Sequence, residues 1–302
     1  MASLTSKLVL GTVQFGLDYG INNQHGKPSR KKSLQMLDFA YEKGIRIFDT
    51  AYAYGEAEKI LGKFSQNRNL GEKIKIITKL KPDILAESKG AVYDIIASNL
   101  EESLHRLKRN YVNGYLFHSP AYIRDEKLVD VFRRLKSQGL VENIGVSIYE
   151  EEDAIYAAKL GEVDYIQIPY NIFDQRLDKT NFFTLTRKNG IKVFARSAFL
   201  QGLFFMPGEK IPPSMGKAKF YLKELDKIIG KYHLSRQQAA LLFSLKNKSI
   251  DYVVFGVDNI EQLQEYINIA RRNINCQRCV NELGRKFNNI EKNIISPNLW
   301  KK

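Results

Sequence analysis

Three consecutive apolar runs in this 302-residue chain each end on an ionisable residue: Ile45 to Phe48 on Asp49, Ile74 to Thr78 on Lys79, and Tyr115 to Phe117 on His118. Tyr54 follows Asp49 by five positions. A phenol has an ordinary pKa of about 10 and donates a proton poorly at neutral pH unless a cation stabilises its phenolate. Lys79 can supply that cation, Asp49 can hold the ammonium charged and oriented, and His118 can donate toward a carbonyl oxygen. Such a group fits protonation of the alkoxide that forms when hydride adds to a carbonyl carbon. Taken singly, Tyr54 also reads as a packing aromatic and Asp49 with Lys79 as a structural ion pair. Their delivery on successive strand ends favours the joint reading.

The positioning elements repeat along the whole chain. Short Ile-, Val-, Phe- and Tyr-rich runs are read as strands at Lys7 to Leu10, Ile45 to Phe48, Lys73 to Thr78, Gly114 to Phe117, Glu142 to Val146, Val163 to Ile168, Ile191 to Ala195 and Asp251 to Phe255. Segments of helical period lie between them: Leu34, Leu37, Ala40 and Tyr41 share one face, Ile96, Leu100, Leu104 and Leu107 another, and Leu128, Val131, Phe132 and Leu135 a third. Eight strand-helix units without a compositional break predict a single α/β domain, a (β/α)8 TIM barrel over residues 1–272, with a C-terminal extension, 273–302, packing on the barrel or trailing from it. Residues just past the carboxyl ends of the strands converge on one mouth in such a barrel. Here they are Gly11, Asp49, Lys79, His118, Ser147, Gln167, Arg196 and Gly256. Long connections follow strands 1, 4 and 7, and the last of them carries Pro207, Pro212 and Pro213.

Composition narrows the class. The net charge of +14 favours an anionic partner, yet the basic residues are dispersed and no aromatic-basic alternation of an RNA-binding strand appears, which argues against nucleic acid. No apolar run approaches eighteen residues and Met1 to Lys7 lacks the apolar segment of a signal peptide, so a cytoplasmic protein with no membrane partner is expected. Cys276 and Cys279 are half a zinc site without a second half, and no metal is expected. His25, His105 and His233 lack partners at ligand spacing and receive no role, and Phe204, Phe220 and Tyr221 read first as packing residues.

The runs Asp49-Thr50-Ala51-x-x-Tyr54-Gly55-x-x-Glu58, Ile77-Thr78-Lys79, Leu116-Phe117-His118, Ile144-Gly145-Val146-Ser147 and Gln167-Ile168-Pro169-Tyr170-Asn171 resemble, in order and spacing, the aldo-keto reductase superfamily. The resemblance spans nearly the whole chain. It implies a TIM barrel that binds an extended nicotinamide dinucleotide and reduces aldehydes or ketones, with Tyr54 as general acid, Lys79 and Asp49 as its tuning pair and His118 orienting the substrate. It also implies cofactor contacts at Gly11, Thr12, Asp49, Ser147 and Gln167. Further contacts would come from Ser197, Phe199, Gln201 and Gly202 around the pyrophosphate, and from Gly256, Asp258, Gln262 and Glu265 around the adenosine end.

Two positions depart from that family. Arg196 stands where many relatives place Tyr or Trp against the nicotinamide; a guanidinium stacks on a ring but repels the oxidised, cationic form, or it binds an anionic substrate group instead. Asp258 stands where relatives that take a 2'-phosphate place Lys, Arg or Ser. The family favours NADPH, whereas an acid at 258 argues for NAD. The opening Leu10-Gly11-Thr12-Val13-Gln14-Phe15-Gly16-Leu17-Asp18-Tyr19-Gly20 resembles a bacterial branch tied to sugar metabolism, implying a sugar or nucleotide-sugar carbonyl substrate. An aldose dehydrogenase and a cofactor-binding regulatory subunit are the competing readings. A monomer or small homo-oligomer is expected.

Overall fold

A strand that must bury both faces needs helices outside and a packed barrel inside, and the alternation of the chain meets both needs. The computed structural model describes residues 4–23, 26–87, 89–272 and 274–300; His25 and the ends of the chain lie outside them. Eight parallel strands close in sequence order into one barrel: β1 (Leu8–Gly11), β2 (Ile47–Asp49), β3 (Lys75–Lys79), β4 (Gly114–Phe117), β5 (Ile144–Ser147), β6 (Tyr165–Pro169), β7 (Lys192–Arg196) and β8 (Tyr252–Phe255). The closing pair is β1 with β8, through Val9 against Val254.

Most strands begin one or two residues later than the apolar runs suggest, and several end one residue later. The pairing shows why: Asp49 pairs with Gly11 and Ile77, Ser147 with Gln167, and Arg196 with Pro169, so the polar residues belong to the ladders themselves. Asp49, Lys79, Ser147 and Arg196 are therefore terminal strand residues, Gln167 sits within β6, and only His118 and Gly256 lie just beyond their strands. A side chain fixed by ladder hydrogen bonds is placed more tightly than one on a loop.

Two cores hold the barrel. Val9, Ile77, Leu116, Phe194 and Val254 fill its interior, flanked by Ile47, Tyr165 and Tyr252. Between strands and helices lies the larger core, in which Ile96, Leu100, Leu104 and Leu107 are all buried, as are Leu128, Val131, Phe132 and Leu135. Among the first face, Leu37 and Ala40 are buried while Leu34 and Tyr41 pack from its edge. Helices begin where side chains satisfy their free amides: Ser235 and Gln238 form a reciprocal capping box, and Asn259 accepts from the Gln262 amide.

In the C-terminal extension, the helix Gln277–Lys286 buries Cys279 and Leu283 and packs on the helices Gly216–Lys231 and Arg236–Lys246. Phe287 meets Phe173 at 5.1 Å between ring centroids, and Lys292 bridges to Glu150 at 2.8 Å, so the segment touches the rim of the mouth after β5 and β6. Trp300 donates to the Asn293 carbonyl, inside the same segment.

Phe132 is the tightest aromatic contact of the outer core, stacked on Phe117 at 3.8 Å and on Tyr115 at 4.8 Å. Phe132→Ala leaves a cavity against β4 and should destabilise the fold by about 3 to 5 kcal/mol, read as a lower urea midpoint at unchanged slope.

Candidate active site

The site is built on a buried ion pair. The Lys79 ammonium donates to both Asp49 oxygens at 2.8 Å and to the Thr50 carbonyl at 2.8 Å, and it has no solvent exposure. Asp49 also accepts from Gln167 Nε2 at 2.8 Å, and Ser147 Oγ lies 3.5 Å from Gln167 Oε1. Strands β2, β3, β5 and β6 are thus joined through side chains at one level. Burial lowers the Lys79 pKa below that of an ordinary lysine, and the two Asp49 bonds oppose this.

Above the pair, Tyr54 and His118 meet edge to face, with centroids 5.8 Å apart, and the Lys79 nitrogen lies 5.2 Å from the Tyr54 ring. Burial first, then the Asp49 carboxylate, pushes the Tyr54 phenol well above its usual range, and the Arg196 guanidinium pulls it back. His118 is lowered to about 3, by burial first and then by the cations Lys79 and Arg196, so it is a neutral imidazole at physiological pH.

The Tyr54 loop is braced from two sides. Gly16 packs so closely that an added Cβ would stand 1.6 Å from the Tyr54 carbonyl oxygen. Glu58, fully buried one turn later, accepts from Thr78 Oγ1 at 2.6 Å, tying the helix Ala57–Asn67 to the strand that carries Lys79.

Tyr54, His118, Asp49, Gly11, Thr12, Ser147, Gln167 and Arg196 all line one open cavity of about 240 Å³. Ser197, Phe199, Gln201, Gly202, Gly256, Asp258 and Gln262 extend it into a groove running toward β8, while Lys79 lies beneath its floor. Glu265 is exposed and outside the lining of the groove, while Tyr266 on the same helix, Ile260–Arg271, turns inward against Phe199 at 4.4 Å. Ser197, Leu200 and Gln201 all have positive φ, a concentration of backbone strain of the kind found at ligand clamps, and Gly202 continues the left-handed turn without cost.

The sequence reading missed Gln14, Tyr19, Asn22 and Tyr149, which also line the cavity. Tyr149 carried a signal: it lies two residues past Ser147 and so shares that strand end. Its ring covers one side of Arg196, 4.4 Å from the guanidinium carbon, while Arg196 donates to the Ile148 carbonyl at 2.8 Å and lies 3.3 Å from Ser197 Oγ. Tyr19 is held over the cavity by its loop, since the Ile21 amide donates to the Gln201 carbonyl at 3.0 Å. Its phenol is pushed up to about 12, chiefly by burial.

Residues 7–278 match the model of the aldo/keto reductase family. The chain belongs to that family. This aldo-keto reductase is 28% identical over 283 residues to the uncharacterized oxidoreductase YqkF of Bacillus subtilis, covering 87% of this chain and 90% of that protein. It is 25% identical over 281 residues to L-galactose dehydrogenase of Arabidopsis thaliana, covering 86% and 84%. Among solved structures, the holo form of aldo-keto reductase AKR11C1 from Bacillus halodurans shares the fold with a TM-score of 0.76 at 20% identity, over 96% of this chain and 95% of that one.

An aldo-keto reductase is an NAD(P)-dependent oxidoreductase acting on a small carbonyl substrate. The cavity fits a nicotinamide cofactor on structural grounds: Gln14 Oε1, His118 Nδ1 and Arg196 Nε belong to residues lining it, and each is buried without a hydrogen-bond partner. Unmet polar atoms gathered in one groove mark a place that a polar ligand completes. Among the described residues no helix is long and apolar enough to cross a membrane, and no His, Cys, Asp or Glu cluster could hold a metal.

The low His118 pKa has a consequence for stability. The unfolded chain protonates this imidazole below about 6.5 while the native state resists until about 3, so stability falls as pH drops through that window. His118→Gln should flatten the acid side of the stability profile by up to about 1.4 kcal/mol per pH unit between pH 6 and 4, measured by urea unfolding.

Proposed function

We propose that the protein reduces a small hydroxylated carbonyl compound of sugar type, with Tyr54 as the proton donor and NADH as the preferred reductant. The observation that carries this reading is the convergence of Tyr54 and His118 over the Asp49–Lys79 pair in one lined cavity. When bound, the nicotinamide supplies the hydride. His118, neutral and with Nδ1 unpartnered, donates toward the carbonyl oxygen and orients it. Tyr54 then gives its proton to the developing alkoxide, and the Arg196 guanidinium, which opposes the upward shift of this phenol, stabilises the phenolate left behind, with the Lys79 charge 5.2 Å from the ring as the second cation. Ser147 and Gln167, at the ends of β5 and within β6, are suited to hold the nicotinamide carboxamide.

The sugar-type substrate is supported by the polar tips around the centre, Tyr19, Asn22, Tyr149 and Arg196, and by the L-galactose dehydrogenase relative. That relative's name also favours a second reading, oxidation of a sugar with the same residues in reverse. Arg196 weighs against it, because a guanidinium against the nicotinamide repels the cationic oxidised ring more than the neutral reduced one. The cofactor preference is supported by Asp258 in the groove, where the Gln262 side chain already accepts from the Asp258 amide at 2.8 Å.

Tyr54→Phe should lower kcat by two or more orders of magnitude on a panel of hydroxyaldehydes while leaving cofactor affinity within about twofold. Near-normal turnover would remove Tyr54 from the acid role. Asp258→Arg should shift the NADPH-to-NADH affinity ratio by about 1 to 2 kcal/mol toward NADPH in fluorescence titrations, and an unmoved ratio would show that the 258 side chain does not reach the ribose.

A further inference from the structure

We propose that the Gln14 carboxamide is a cofactor ligand that accepts a hydrogen bond from the ribose 2'-hydroxyl at the adenosine side, and that it selects the unphosphorylated dinucleotide. This rests on the cofactor reading above and deepens it. Gln14 follows β1 and lines the groove beside β8, the strand paired with β1 across the barrel closure. Its Oε1 is buried and has no hydrogen-bond partner. At Gly256 an added Cβ would stand 2.4 Å from both Gln14 Oε1 and Gln14 Nε2. Any side chain at 256 would therefore occupy the space that Gln14 fills, and the absence of one there is what lets the carboxamide reach the groove. The neighbouring carboxamide, Gln262, is engaged with residue 258: its Oε1 accepts from the Asp258 amide at 2.8 Å, and its Nε2 lies 3.5 Å from Asp258 Oδ2. Gln14, with its buried and unpartnered Oε1, is thus the carboxamide beside Gly256 that offers a ligand an acceptor.

What an unmet acceptor requires is a donor. A ribose hydroxyl brings an O–H and satisfies it. A 2'-phosphate, largely dianionic at neutral pH, brings further acceptors and negative charge, next to a carboxylate at 258. Both features disfavour the phosphorylated cofactor for reasons set by this chain's own side chains.

The test titrates the full-length protein with NADH and with NADPH by fluorescence, and repeats both with Gln14→Met, which keeps length and removes the acceptor. NADH affinity should fall about tenfold while NADPH affinity stays within about twofold or improves. Gly256→Ala, which displaces the carboxamide from the opposite side, should weaken NADH in the same direction, and unchanged melting temperatures without cofactor confirm that both variants fold. Equal weakening of the two cofactors, no change in either, or a parent protein that prefers NADPH overturns the assignment. Failure of the parent to bind either dinucleotide overturns the cofactor reading itself, a distinct result that requires no substrate.

Discussion

The ammonium of Lys79, buried without exposure at the mouth of the barrel, is the constraint on which the rest of the site depends. Removing such a charge from water costs several kcal/mol, and the Coulombic attraction of one partner offsets this only when the remaining protons are also satisfied. Here all three are directed: two at Asp49 and one at the Thr50 carbonyl. Asp49 is in turn bound by Gln167 from the far side of the barrel. No sheet edge and no loop can present these groups from four directions at one height. A closed parallel barrel does, because its pairing register sets the heights of neighbouring strand ends.

The pair then shapes everything above it. Lys79, held beneath the floor, lends positive potential to the cavity without occupying it, and this adds to burial, the larger cause, in lowering the proton affinity of His118. Tyr54 is placed in that potential by its own loop, and the loop is clamped by the close approach of Gly16 and by the Glu58–Thr78 bond. Arg106 adds to the clamp: it stacks on Tyr52 at 3.9 Å and reaches Glu58 at 3.5 Å. The family motif around Tyr54 therefore encodes the mount of this phenol as well as the phenol itself. Glu58, read from sequence only as part of a resemblance, is the residue that ties the mount to the strand carrying Lys79.

Sequence legibility followed the physics of each element. The barrel was readable because every strand is apolar on both faces and every helix on one, a pattern that burial alone imposes. Asp49 and Lys79 were readable because a charge buried at a strand end is costly unless it is paired, and His118 because it follows β4 directly at the same end of the barrel. Tyr19 and Gln14 were not, since each reaches the cavity through a loop or a short turn whose direction no periodicity records, and Tyr149 was legible only from its place two residues past Ser147. On the helix Ile260–Arg271 a single residue step rotates a side chain by about 100°, which separates exposed Glu265 from Tyr266 in the groove.

Arg196 is where charge and shape meet. Its guanidinium is fixed on one side by the Tyr149 ring and along its edge by the Ile148 carbonyl, so it enters the cavity already ordered and loses little freedom when a ligand arrives. A flexible arginine at the same position would bind an anion by swinging toward it; this one presents its free side to whatever lies beside it. The Tyr149–Arg196 stack, rather than Arg196 alone, is thus the unit that the end of β7 presents to the cavity. The ring face attracts the guanidinium electrostatically, so the positive charge is held at a fixed place on the wall of the cavity instead of being free to move into solvent.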